Sequence, residues 1–118
     1  MQKLLTRFSH PLRGIVHAIK HDQSFQTQVI GGILFLFVTW LLLKPLAAWE
    51  WLFIGLAWTL ILITELQNSA LEEALDRMHP ELNEKIGRSK DMAAGAVLLA
   101  FMYTISAFVA LSLVRYFA

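Results

Sequence analysis

Three long runs of apolar residues dominate the chain and limit what it can fold into. They cover residues 29–43, 47–66 and 92–114, and the third run contains no charged residue. A helix of about 20 apolar residues is long enough to cross the ~30 Å hydrocarbon layer of a bilayer. The sequence therefore predicts an all-α membrane protein with transmembrane helices at 28–45, 48–66 and 92–114.

The composition agrees with a membrane-embedded fold. Hydrophobic residues make up 57% of the 118 residues and charged residues 16%, whereas soluble domains carry about 45–50% and about 25%. The net charge of +1 gives no reason to expect a nucleic acid partner. The absence of cysteine excludes disulfides, thiolate metal sites and a thiol nucleophile. With no visible repeat or linker, we expect a single domain over residues 1–118.

The segment 1–24, before the first span, has the pattern of an amphipathic surface helix. Five apolar side chains recur along it at helical spacing, namely Leu4, Phe8, Leu12, Ile15 and Ile19. Basic residues and three histidines occupy the other face, and Pro11 is expected to bend or interrupt the helix. A core-facing helix of a soluble bundle would show the same pattern, but the apolar runs that follow favour a helix at the membrane surface.

The distribution of lysine and arginine predicts the orientation in the membrane. Four of these residues precede the first span, and four lie between the second and third spans. Only Lys44 falls in the first loop and only Arg115 near the C-terminus. By the positive-inside rule, the N-terminus and residues 67–91 are expected in the cytoplasm, and the C-terminus outside.

Polar side chains form one stripe where the second apolar run ends. They are Glu65, Asn68, Glu72 and Asp76, separated by three, four and four positions. That spacing places them on one face of a helix, so the second transmembrane helix is expected to extend into the cytoplasm. The sequence Met-His-Pro at 78–80 is expected to end it, because proline disfavours the helical conformation of the residue before it.

The third transmembrane helix is predicted to begin near residue 89. Gly87 and Ser89 have the residue types of a turn and an N-cap. Lys90 and Asp91 would then lie in the first helical turn, where free backbone N–H groups favour the binding of phosphate. The simpler interpretation is that both residues only cap the helix and anchor it at the membrane boundary.

The side chains of the polar stripe could take part in catalysis or metal binding, in addition to contacting water. A carboxylate such as Glu65, at the edge of the hydrocarbon layer, can act as the general base for a lipid alcohol. Glu72 and Asp22 provide the hard oxygen atoms that suit Mg²⁺. The chain contains no Gly-rich phosphate loop of the Walker type and no protein-kinase catalytic loop. Any phosphoryl transfer must therefore use another arrangement.

Other functions fit parts of this pattern. A polar stripe is most often just the solvated side of a helix. A small cation-coupled transporter would use Glu65 as its coupling carboxylate, but it does not explain a charged segment that ends at Lys90 and Asp91. A non-catalytic membrane scaffold would tolerate the loss of Glu65. The four histidines show no spacing typical of a metal site, and surface roles are expected for them.

Two motifs are similar to those of a known family. Residues 65–76 read Glu-x-x-Asn-Ser-Ala-x-Glu-x-x-x-Asp, and residues 87–92 read Gly-Arg-Ser-Lys-Asp-Met. Gly14 in the basic N-terminal segment and Asp22-x-x-Phe25 before the first span extend the similarity over nearly the whole chain. On these residues the chain resembles the prokaryotic diacylglycerol kinase family, which also includes undecaprenol kinases.

The resemblance implies an ATP- and Mg²⁺-dependent lipid kinase that assembles as a homotrimer, with sites at the subunit contacts. It implies that Glu65 is the proton acceptor and that Asn68 orients the acceptor or the phosphate. It also assigns Glu72 to the metal, Lys90 to the nucleotide phosphates and Asp91 to the nucleoside.

Some positions depart from the family pattern. Asp22 stands where the family usually has a metal-binding glutamate, so a shorter side chain must reach the metal. Glu81 matches an acidic position of the nucleotide loop, whereas Asn83 replaces a common histidine. Lys3 and Arg7 are both candidates for the N-terminal arginine of the family.

Different segments of the chain resemble family members that act on different lipids. The segments 76–77 and 87–92 are similar to the diacylglycerol branch of the family, whereas Ala-Ala-Gly-Ala-Val at 93–97 is closer to the undecaprenol branch. The resemblance favours diacylglycerol, with phosphatidic acid as the product. Undecaprenol, which would give undecaprenyl phosphate, is the alternative.

Overall fold

The described residues form four helices. The structure is a computed structural model that describes residues 1–81 and 83–117. The helices are α1 (Gln2–His21), α2 (Gln23–Leu43), α3 (Ala48–Met78) and α4 (Glu84–Phe117). The described residues contain no strand, which confirms the predicted all-α architecture. Leu82 and Ala118, which belong to the predicted domain 1–118, lie outside the described residues.

Asp22 separates α1 from α2 and belongs to the ends of both. Its backbone is extended, and its N–H donates to the carbonyl of Ala18 in α1. Its Oδ1 accepts a hydrogen bond from the N–H of Phe25 at 3.2 Å, which makes Asp22 the N-cap of α2. Because of this cap, α2 begins at Gln23, and the predicted membrane span, from residue 28, starts within this helix.

Pro11 does not interrupt α1, which continues unbroken on both sides of it. A proline within a helix removes one backbone hydrogen bond, and the neighbouring turns retain theirs. The large apolar side chains of α1 remain uncovered by the described part of the chain. Leu4, Phe8 and Leu12 are 57%, 63% and 60% exposed, respectively. One apolar face of α1 is therefore open along its length.

Helices α2, α3 and α4 form a bundle in which α3 is antiparallel to both of its neighbours. At one end, the hydroxyl of Tyr116 donates to the carbonyl of Leu42 at 3.0 Å. At the same end, the guanidinium of Arg115 donates to both carboxylate oxygens of Glu50, at 3.0 and 2.8 Å. The buried apolar core, Leu43, Ile54 and Leu111, lies near this end. We call it the closed end of the bundle.

Small residues let the three helices approach closely. Ala57 in α3 and Ala100 in α4 are buried, as is typical of contacts between membrane helices. Gly32 in α2 leaves room for Trp58 of α3, whose indole N–H donates to the carbonyl of Gln28 at 3.1 Å. A Cβ atom on residue 32 would overlap the indole ring of Trp58. The contact between α2 and α3 therefore depends on glycine at this position.

The second apolar helix, α3, ends where the sequence predicts. It continues beyond the apolar run as far as Met78, and the N–H of His79 donates to the carbonyl of Leu75. Pro80 follows, which disfavours a further helical residue at 79. The predicted extension of this helix beyond residue 66 is thus confirmed, and the side of the membrane on which it lies stays a prediction.

The predicted start of the third apolar helix near residue 89 is wrong. α4 begins at Glu84, because the side chain of Asn83 accepts a hydrogen bond from the N–H of Lys85 at 2.8 Å. Gly87 continues the helix, since one glycine costs only about 1 kcal/mol relative to alanine. Ser89 is not a cap, because its hydroxyl donates to the carbonyl of Lys85 within α4.

Lys90 and Asp91 therefore lie beyond the first turn of α4, contrary to the prediction. Only the first four N–H groups of a helix lack partners within it, and these two residues are not among the first four. The predicted contribution of free N–H groups to phosphate binding at Lys90 is thus wrong. Lys90 can contribute its ammonium group alone.

The helices α2, α3 and α4 are each long and apolar enough to cross a membrane. Large apolar side chains point away from the bundle, and Leu52 in α3 and Leu99 in α4 are 74% and 67% exposed. Side chains of this kind, exposed in such numbers, suit a hydrocarbon environment better than water. The three predicted apolar helices are confirmed, while their limits within the bilayer stay predictions.

Candidate active site

A cleft of about 970 Å³ lies between α1 and the part of α3 that extends beyond the apolar run. Glu72, Glu73 and Asp76 of α3 contribute carboxylates to its wall. Asp22, at the junction of α1 and α2, contributes a fourth. We call this site the acidic cleft. It lies at the end of the bundle opposite the closed end, and its charge favours a cation or a ligand that carries one.

Glu65 is a buried carboxyl group of α3 beside the acidic cleft, and it is not among the described residues that line the cleft. Only 6% of its surface is exposed, and the next residue, Leu66, lines the cleft. Within residues 1–81 and 83–117, no ion pair includes Glu65. A carboxyl group kept in this position without a cationic partner is a functional candidate.

Asn68 lies one turn beyond Glu65 on α3. Its Nδ2 is 3.5 Å from Oε1 of Glu72, which is a long contact. Its Oδ1 is buried and has no hydrogen-bond partner in the described part of the chain. The helix thus brings Glu65, Asn68 and Glu72 onto one face, as their spacing predicted.

Lys90 reaches the acidic cleft from α4 through an ion pair with Asp76. Since Asp76 lines the cleft, the ammonium group lies at its edge. Lys90 itself is not among the described residues that line the cleft, and the same holds for Asp91, which is exposed on α4. A single chain therefore brings the predicted phosphate-binding lysine to the site but leaves Asp91 outside it.

Glu81 is not brought into the acidic cleft. It lines a separate depression of about 300 Å³, together with His79, Pro80 and Asn83. This depression follows the end of α3, whereas the acidic cleft lies along the helix. Asn83 serves as the cap of α4 through its contact with Lys85. The asparagine that replaces the family's histidine therefore has a structural role.

The donor atoms of the cleft fit Mg²⁺ that arrives with a ligand. Asp22 and Glu72 both supply carboxylate oxygens to the cleft, and Oδ1 of Asp22 also accepts the N–H of Phe25. Over the described residues, no group of three or more His, Cys, Asp or Glu side chains is placed to hold a metal ion. Proteins commonly bind Mg²⁺ through one or two carboxylates, with phosphate oxygens and water as the other ligands. Two carboxylates are therefore a sufficient protein contribution.

Two histidines of α1 line the cleft, although only surface roles were expected for them. His17 and His21 are both exposed, and their ring centroids are 4.9 Å apart. They share one face of α1 with Gly14 and with Ala18, which is buried. Their four-residue spacing was the available signal in the sequence. It could not reveal which face of α1 meets the cleft, because that depends on how α1 packs against the rest of the chain.

Comparison with known proteins agrees with this geometry. Proteins named diacylglycerol kinase from Escherichia coli (strain K12) and Shigella flexneri are 44% identical to the chain over 46 residues. This match covers 39% of the chain and 38% of each relative, so it spans well under half of either protein. The family model described as prokaryotic diacylglycerol kinase matches residues 9–113. Because that model covers most of the chain, the protein belongs to the prokaryotic diacylglycerol kinase family.

Proposed function

We propose that the protein is an ATP- and Mg²⁺-dependent lipid kinase that phosphorylates the hydroxyl of diacylglycerol to give phosphatidic acid. The observation that carries this proposal is Glu65, a buried carboxyl group at the end of the apolar run of α3, directly before Leu66, which lines the acidic cleft. One side of this point suits a lipid and the other suits a water-soluble donor. Membership of the family supports the same reaction class.

The proposed topology places the acidic cleft at the cytoplasmic face of a bacterial inner membrane. The basic residues of α1 and of the segment 67–91 support this orientation through the positive-inside rule. The C-terminus then lies outside. In this arrangement the open apolar face of α1 rests on the lipid surface as an amphipathic interfacial helix, and the extension of α3 stands in the cytoplasm, where ATP is present.

In the proposed mechanism, Glu65 accepts the proton of the lipid hydroxyl as that oxygen attacks the γ-phosphorus of ATP. Asn68, one turn away, orients the hydroxyl or the phosphate through its amide group. The bond between the γ-phosphorus and the bridging oxygen breaks, and ADP leaves. Binding both reactants in one cleft replaces a bimolecular encounter with a positioned transfer.

The remaining predicted residues bind the nucleotide in this proposal. Asp22 and Glu72 hold Mg²⁺, which when bound neutralises negative charge on the phosphates. Lys90 contributes its ammonium group to the same phosphates. Asp91 and Glu81, which lie outside the acidic cleft of one chain, are assigned to the nucleoside and its loop.

We further propose that the active form is a homotrimer with sites shared between subunits. Asp91 and Glu81 support this arrangement, because they lie outside the acidic cleft of their own chain. A neighbouring chain would be needed to bring nucleoside-binding groups of this kind to the cleft. Native mass spectrometry of the detergent-solubilised protein tests it. A trimer is expected, and a monomer that turns over ATP at the full rate would contradict it.

Undecaprenol is the second candidate acceptor. It is supported by the segment 93–97 of α4, which is similar to the undecaprenol branch of the family. The decisive experiment offers labelled ATP with diacylglycerol and with undecaprenol, side by side, to protein purified in detergent micelles. Faster labelling of diacylglycerol is expected, and faster labelling of undecaprenol would replace our first choice with the second.

The same assay tests the role of Glu65. The variant Glu65→Gln keeps the size of the side chain but cannot accept the proton, so we expect turnover to fall by about 10²-fold or more. Glu84→Gln is the matched control, because Glu84 is an exposed carboxylate in the first turn of α4. Labelling of neither lipid by the wild-type protein would contradict the kinase. Phosphorylation in micelles, which hold no ion gradient, excludes the gradient-coupled transporter as the sole function.

A further inference from the structure

Asp76 connects the acidic cleft to Lys90, the residue assigned to the phosphates of ATP. Asp76 is in the last turns of α3 and lines the cleft, whereas Lys90 is fourteen residues further along the chain in α4. Their side chains form an ion pair between the two helices. It is thus a carboxylate from α3 that brings the ammonium group of α4 to the cleft.

This ion pair is accessible to a competing anion. The side chains of Lys90 and Asp76 are 34% and 62% exposed, so water and solutes reach both. An exposed pair contributes little to stability. The ion pair therefore does little to hold the two helices together, and its main effect is to place the lysine. A lysine side chain is a flexible four-carbon chain, and a fixed counter-ion limits the positions that its ammonium group can take.

The negative charge of the acidic cleft explains why a lysine at its edge would help ATP to bind. Glu72 and Glu73 also line it, and their charge repels the triphosphate of ATP. Arg77 of the same wall is engaged with Glu73 at 3.7 Å. A cation kept at the edge by Asp76 is available when the phosphates enter, and phosphate oxygens can then replace or share the aspartate as its partner.

We infer that Asp76 is a positioning residue for the binding of ATP. It holds Lys90 at the edge of the acidic cleft, where the ammonium group of Lys90 can bind the nucleotide phosphates. Asp76 acts through Lys90 and does not touch the reacting atoms. This inference rests on the proposed kinase function, and it adds a residue for which the family resemblance states no role.

The test compares Asp76→Asn, Asp76→Glu and wild-type protein for kcat, for the KM of ATP and for direct binding of Mg²⁺-ATP. In Asp76→Asn we expect the KM and the dissociation constant of ATP to rise about fivefold, the size expected from losing an exposed ion pair, with kcat near the wild-type value. Asp76→Glu, which keeps the charge, is expected to recover most of the affinity. Glu84→Gln removes an exposed carboxylate elsewhere and should leave all three quantities unchanged.

A double variant separates positioning from a direct role. In the background of Lys90→Gln, Asp76→Asn should cause no further loss of ATP binding, because its effect passes through the lysine. A further fivefold loss in that background would overturn the inference, as would unchanged ATP affinity in Asp76→Asn alone. Failure of Asp76→Asn to fold would also overturn it, since the pair would then be a structural requirement. An inactive wild-type protein would instead remove the proposed function, and this inference with it.

Discussion

The indole ring of Trp58 occupies the space that a side chain on residue 32 would need. Gly32 in α2 faces it directly, and the indole N–H reaches the carbonyl of Gln28, one turn earlier on the same helix. Neighbouring Gly31 has no atom within 4 Å of the Cβ position. Of these two adjacent glycines, only Gly31 has room for a larger side chain.

Replacing Gly32 by alanine should weaken the contact between α2 and α3. The new methyl group would force Trp58 to move, and overpacking of this kind costs about 1–3 kcal/mol. Gly31→Ala is the matched control and should be neutral or slightly stabilising, because alanine favours a helix over glycine. Thermal unfolding in detergent micelles measures both. Equal midpoints for the two variants would contradict the packing, and Trp58→Phe should relieve part of the loss in Gly32→Ala.

Removing Arg115 should destabilise the closed end of the bundle. Arg115→Met leaves the Glu50 carboxylate, whose side chain is only 9% exposed, without its cation. Because Arg115 is itself about one-third exposed, we expect a loss of about 2 kcal/mol, less than for a fully buried pair. The control is Arg77→Met, which breaks an exposed pair with Glu73 and should change the unfolding midpoint little. Recovery of stability on adding Glu50→Gln to Arg115→Met would identify the buried charge as the cause.

Two substitutions of Asp22 should separate its role as a helix cap from its role toward Mg²⁺. Asp22→Asn keeps an oxygen for the N–H of Phe25, so stability should stay near wild type while the Mg²⁺ requirement of the kinase rises. Asp22→Ala should raise the same requirement and also lose about 1 kcal/mol of stability. The measurements are Mg²⁺ titration of activity and thermal unfolding. An unchanged Mg²⁺ requirement in Asp22→Asn would remove Asp22 from the proposed metal site.

Loss of Asn83 should affect folding more than nucleotide binding. In Asn83→Ala the N–H of Lys85 loses its side-chain acceptor, which should cost about 1 kcal/mol at the start of α4. Asn83→Asp should retain the cap. The KM for ATP is expected to stay near wild type in both variants. A large rise of that KM in Asn83→Asp, with stability intact, would show that Asn83 contacts the nucleotide.

Much of the fold was predictable because hydrophobic length and helical spacing are local properties. The apolar runs identified α2, α3 and α4, and Pro80 identified the end of α3. The start of α4 was not predictable in the same way. Gly87 and Ser89 are residue types of a helix boundary, but the cap at Asn83 lies earlier and one glycine does not stop a helix that the cap has begun.

The candidate site was predictable only where it lies on one helix. Glu65 and Glu72 share a face of α3 because of their spacing, and that much follows from the sequence. The presence of His17 in the cleft and the pairing of Asp76 with Lys90 are tertiary relationships between helices. No periodicity within a single segment encodes them.

The single residue between α1 and α2 limits how the acidic cleft can change shape. One extended residue spans at most about 3.6 Å, so the C-terminal end of α1 cannot slide away from the start of α2 at Asp22. The wall formed by α1 can therefore widen the opening only by pivoting about that residue. In the proposed topology, in which α1 rests on the lipid surface, the tilt of the helix would follow that surface, and the width of the opening would depend on the curvature and lateral pressure of the lipid.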